Sequence, residues 1–131
     1  MPARRSTPRT PRTSPVAAKA PLPLSGPWTL SFQHPKAGKR FRIPATVPGN
    51  VAVDLMRAKI LPDLYVGRNV LEGQKWERVD FVYETRFAAP ALRKGERLEL
   101  AFDGVDTVAT VALNGKPVGF LENMFIPHVL D

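Results

Sequence analysis

Carboxylates are the side chains that hydrolases of sugars, peptides and phosphates share, so the 12 acidic residues come first. A retaining glycosidase needs two carboxyls roughly 5–5.5 Å apart on either side of one bond. Asp103 and Asp106 are close in sequence, yet Asp103-Gly104 is turn chemistry at a strand junction. Glu96 and Glu99 fall on opposite faces of a strand beginning at 96. Glu77, Asp80 and Glu84 are interleaved with Arg78 and Arg86, the pattern of a solvated face. His34 and His128 are far apart and there is no cysteine, so no metal-ligand spacing, disulfide or thiol nucleophile is available. No Gly-x-Ser-x-Gly elbow, phosphate loop or Gly-x-Gly-x-x-Gly fingerprint occurs. The reading is therefore of no catalytic residue, no metal and no cofactor.

Loop aromatics are more informative. Tyr65 and Trp76 bracket a Gly- and Asn-containing stretch with Asn69 between them. A sugar ring has apolar faces and a polar rim, so an aromatic platform beside an amide suits it. Tyr65, Asn69 and Trp76 are thus the candidate substrate-binding residues. Trp76 closing one end of an apolar core is the structural alternative.

The elements that must position them are mostly strands. Trp28, Leu30 and Phe32 alternate with Thr29 and Ser31, and Phe41 to Ile43 is placed to pair with them across the His34–Lys39 turn. After Pro48-Gly49, Asn50 is a helix cap; Val51, Leu55 and Ala58 make one or two helical turns that Pro62 ends. Residues 62–75 read as a long irregular loop. Period-two alternation then returns over Val79–Phe87 and Leu98–Phe102. Val105–Leu113, apolar on both faces, reads as a central strand covered on both sides. Asn114-Gly115 marks a two-residue hairpin into Lys116–Leu121. Short strands separated by turn signals suggest an antiparallel sandwich or barrel.

Charge divides the 131 residues unevenly. The formal net charge is +7, but residues 1–20 hold five basic residues and no acid, and the rest of the chain is nearly balanced. Residues 1–27 also hold seven of the 14 prolines among Arg, Ser, Thr and Ala, so they read as a disordered basic leader before a domain at 28–131. The leader has no apolar run of a secretory signal, and no later segment reaches the ~18 apolar residues of a membrane span. This predicts no membrane partner and leaves a cytoplasmic location as the default. Lys39, Arg40 and Arg42 around Phe41 form the one basic-aromatic cluster, which an edge strand protected against aggregation explains equally well, so nucleic acid is not the expected partner.

Four blocks carry a family resemblance. Pro44-Ala45-Thr46-Val47-Pro48-Gly49 precedes Val51 and Asp54-Leu55; Leu61-Pro62-Asp63 precedes Tyr65, Gly67, Asn69 and the Trp76–Tyr83 stretch. Phe102 to Ala109 reads FDGVDTVA before Leu113-Asn114-Gly115, and Asn123-Met124-Phe125 precedes Asp131. In this order the blocks resemble the N-terminal domain of glycoside hydrolase family 2, in its β-mannosidase branch. The resemblance covers Trp28 to Asp131 and implies an all-β, galactose-binding-like jelly-roll sandwich, incomplete at its C-terminus.

It also implies the function. Such a domain is a non-catalytic, sugar-binding-type piece of a retaining glycosidase that cleaves terminal β-mannosides. The family's Trp-Asp-Trp-Gly motif, immunoglobulin-like domain and glutamate-bearing barrel do not occur in these residues, so this chain is expected to be inactive alone and to meet carbohydrate through the parent enzyme. A stand-alone carbohydrate-binding module is the alternative, followed by nucleic-acid binding through the basic leader. Loss of the closing strands would leave an unpaired edge, hence poor solubility or partial unfolding.

Overall fold

The computed structural model describes residues 20–131. Most of the expected leader lies in residues 1–19, outside the described residues. The described chain divides into two compact units between Phe87 and Ala88.

The first unit is a three-stranded antiparallel sheet with helical turns on one face. Strand β1 (Gly26–Gln33) pairs with β2 (Arg40–Val47) on one side and with β3 (Phe81–Glu84) on the other, in the order β2-β1-β3. The register explains the alternation seen in the sequence. Phe32 stands opposite both Phe41 and Phe81, and Leu30 opposite both Ile43 and Tyr83, so one face is a grid of apolar side chains. Leu30, Phe32, Ile43 and Ala45 are buried there with Leu55 and Leu61. The other face carries Thr29, Ser31, Gln33, Arg40, Arg42 and Glu84, as a period of two requires.

Helix α1 (Val51–Arg57) covers the apolar face. It starts where expected: Asn50 is extended and its side-chain oxygen accepts from the Ala52 amide at 2.8 Å. Just before it, Gly49 has no substitute, because a Cβ there would lie 2.0 Å from the Thr46 carbonyl oxygen. Its end corrects the sequence reading. The helix stops at Arg57, and Lys59 takes a left-handed φ of 58°, so the turn ends it before Pro62 is reached. Asn50→Ala is expected to lower stability by about 1 kcal/mol in urea unfolding; Asn50→Ser should recover most of it, and an unchanged midpoint for the alanine variant would remove the cap's role.

The 62–75 segment is more ordered than a loop. It contains a one-turn helix α2 (Val70–Gly73) followed by a 3₁₀ turn at Gln74–Trp76. Neither has a side-chain cap, which is why no start signal stood in the sequence.

The second unit has two short antiparallel pairs. Strand β4 (Leu100–Phe102) pairs with β7 (His128–Leu130), and β5 (Val108–Leu113) with β6 (Lys116–Glu122). Asn114 and Gly115 both have positive φ, 51° and 78°, as a type I′ turn demands. The central, twice-covered strand expected at Val105–Leu113 is not found. Among the described residues β5 starts at Val108 and pairs with β6 alone, and Val108 is 63% exposed. Apolar residues on both faces marked a strand with one open face, not a sandwiched one. The all-β class stands, with seven strands, two short helices and no closed barrel among the described residues.

Candidate functional site

A groove of the first unit lies where α1, the 61–64 segment and the α2–3₁₀ stretch meet. It has a volume of about 430 Å³. Leu55, Leu61, Leu64 and Phe81 make its walls apolar, Trp76 contributes an indole, and Asn50, Gln74 and Glu77 supply the polar groups.

Trp76 is held by aromatic packing. Its ring meets Phe32 edge-on at 5.4 Å and His34 edge-on at 5.0 Å, and stacks near Phe81 at 6.3 Å. His34 is itself fixed, its Nδ1 accepting from the Lys36 and Ala37 amides at 3.2 Å. The sequence candidate therefore faces the groove while anchoring the core.

Tyr65 and Asn69 belong to the rim loop. Asp63 organises both: its carboxylate accepts from the Tyr65 amide at 2.9 Å, and its carbonyl accepts from Asn69 Nδ2 at 2.9 Å. This leaves the Tyr65 side chain 93% exposed and Asn69 half-buried. Neither lines the 430 Å³ groove beside Trp76. The three candidates thus divide into an indole on the wall and an amide and phenol on the rim.

Charged groups pair around α2. Glu72 of α2 lies 3.7 Å from Lys36 of the β1–β2 turn and hydrogen-bonds Lys75. That bond from Lys75 holds the Glu72 carboxyl below the usual carboxylate range and raises the Lys75 ammonium.

One polar centre was missed at the sequence level. Asp54, read only as part of a motif, is 2% exposed. Its carboxylate accepts from Arg57 Nη1 at 3.0 Å and from the Tyr83 phenol at 3.3 Å. Burial pushes the Tyr83 hydroxyl up to about 12, reinforced by the charge of Asp54 and by their hydrogen bond. The available signal was spacing: Asp54 lies three residues after Val51 and next to Leu55, on the apolar stripe of α1. A carboxylate held by a phenol and a helix-borne guanidinium is a tie between α1 and β3, not an acid–base pair.

Three other carboxylates are engaged within the second unit. Glu96 accepts from the Arg93 amide at 2.8 Å, and Arg97 bridges Glu99 and Asp131. No group of three His, Asp or Glu residues close enough to hold a metal ion occurs among the described residues. No helix among them is long and apolar enough to cross a membrane.

Known proteins give this geometry a context. The family pattern described as "Glycosyl hydrolase 2 galactose-binding domain-like" matches residues 28–131. "Beta-mannosidase B" of Thermothelomyces thermophilus is 38% identical over 116 residues, covering 88% of this chain and 14% of that protein. "Beta-mannosidase B" of Aspergillus clavatus is 37% identical over 116 residues with the same coverage. That of Aspergillus terreus is 34% identical over 108 residues, 82% of this chain and 13% of the relative. The chain therefore spans about 14% of the length of the first relatives, a domain-sized portion. With strands throughout and a match from Trp28 to Asp131, the chain belongs to the glycosyl hydrolase 2 galactose-binding-like domain family.

Proposed function

We propose that the chain serves as the non-catalytic, sugar-binding-type domain of a retaining glycosidase acting on terminal β-mannosides. The observation that carries this is the 38% identity to a Beta-mannosidase B over 88% of the chain. Chemistry supports a neutral partner. Beyond residue 20 the chain has 14 basic and 12 acidic residues, so its field favours neither a polyanion nor an anionic membrane. Trp76 offers the apolar contact a sugar face needs, and Tyr65 and Asn69 on the adjoining rim offer the hydroxyl and amide that a polar edge needs.

A chimera tests the reading. Residues 28–131 would replace the matching segment of the Thermothelomyces thermophilus relative, with release of p-nitrophenol from p-nitrophenyl β-mannoside as the readout. The chimera is expected to keep kcat/KM within about tenfold of the parent, and this chain alone to release none. Hydrolysis by the 131-residue chain alone overturns the non-catalytic role. A cooperatively folded chimera that processes p-nitrophenyl β-galactoside better than the mannoside overturns the substrate.

A further inference from the structure

The polar face of the β2-β1-β3 sheet carries a second cavity, away from Trp76. Its volume is about 250 Å³, and its lining includes Ser31, Gln33, Gly38, Arg40, Asp80 and Val82. The register explains why these side chains meet. Gln33 pairs directly with Arg40 and Phe32 with Phe81, and Asp80, the residue just before β3, joins Gln33 and Arg40 in the cavity lining. An arginine, an amide and a carboxylate thus line one cavity. Ser31, one row along on the same face and only 7% exposed, forms the floor beside Val82.

Two features mark this as a receptive surface. Arg40 and Asp80 hold no ion pair among the described residues, whereas Arg42 and Glu84 on the same face pair at 3.5 Å. Gln33 Nε2 is already committed to the Gly38 carbonyl at 3.2 Å, which leaves its oxygen free to accept. The cavity thus presents the guanidinium as donor, two acceptors and a hydroxyl that does both. Its charges cancel, which disfavours a phosphate or an acidic peptide.

We propose that this cavity binds a single neutral sugar ring through its vicinal hydroxyls, with Val82 against a C–H face. The choice of ligand rests on the carbohydrate reading above; the site does not use Tyr65, Asn69 or Trp76. At 250 Å³ it is smaller than the roughly 300–1,000 Å³ of sites for larger ligands, so it holds one ring and not an oligosaccharide chain.

Titration of the ¹⁵N-labelled 131-residue chain with methyl β-mannoside and, separately, methyl β-galactoside tests it. Saturable amide shifts at Ser31, Gln33, Arg40 and Asp80 are expected, with a Kd on the order of millimolar. Arg40→Ala and Asp80→Asn should each weaken binding about tenfold or more while spectral dispersion is retained, and Lys94→Ala, at an exposed residue of the second unit, should leave it unchanged. Shifts confined to Val51, Leu64 and Trp76 overturn this site while upholding the groove. No saturable shift anywhere with either glycoside overturns both, and equal affinity in the folded Arg40→Ala and Asp80→Asn variants overturns the assigned contacts.

Discussion

Phe32→Ala is expected to cost about 3–5 kcal/mol and to lower the melting temperature by ~15 °C or more. Phe32 is 2% exposed and occupies the centre of the apolar grid. It pairs with Phe41 and Phe81 on its two sides, with ring centroids at 5.8 and 5.7 Å, and Trp76 closes over it at 5.4 Å. Truncation removes the one ring that all three others touch, and residues fixed in two hydrogen-bonded neighbours cannot collapse into the void. Because Trp76 loses one of its two edge-on partners, its fluorescence should shift to the red before global unfolding. Phe32→Leu keeps most of the volume and should lose much less. A loss below about 1 kcal/mol for the alanine variant would show that the cluster is not the core of this unit.

That cluster also shows which parts of the fold were legible. Strand alternation, the Asn50 cap and the Asn114-Gly115 turn are local rules, each satisfied within a few residues, and each was readable. What eluded the sequence depends on partners distant along the chain. Strand β7 has three residues and exists through its pairing with β4, some 28 positions upstream, with no periodicity of its own to announce it. Helix α2 is a single turn without a cap, closed by backbone bonds such as Glu72 N–H to Asn69 O at 2.8 Å. The same limit applies to the candidate sites. Trp76 was legible as a loop aromatic, but its contacts with Phe32 and His34 come from β1 and the turn after it, more than 40 residues away. The meeting of Arg40, Gln33 and Asp80 in one cavity is invisible in the linear order, since it takes the folded sheet to bring them together.

Asp54→Ala is the second large effect, expected at about 2–3 kcal/mol. Three consequences add. A void replaces a carboxyl that is 2% exposed, the Tyr83 hydroxyl loses its acceptor in a half-buried position, and Arg57 loses its partner. Arg57 contributes least, because its side chain is 60% exposed and water replaces the carboxylate there. A double-mutant cycle with Tyr83→Phe separates the phenol's share: coupling between Asp54 and Tyr83 should be clear, and coupling between Asp54 and Arg57 smaller. The pH dependence gives an independent readout. The Tyr83 hydroxyl is raised in the folded chain to about 12 from an unfolded value near 10. A raised folded value stabilises fully below the unfolded pKa, and that contribution is lost as pH climbs through the folded one. Stability should therefore fall between about pH 10 and pH 12, more steeply for the wild-type chain than for Tyr83→Phe. Asp54→Ala should flatten the same window, since it removes the charge and hydrogen bond that help hold the phenol neutral. Parallel pH profiles for all three proteins would break the link between Tyr83 and Asp54 and reduce Asp54 to a packing residue of α1.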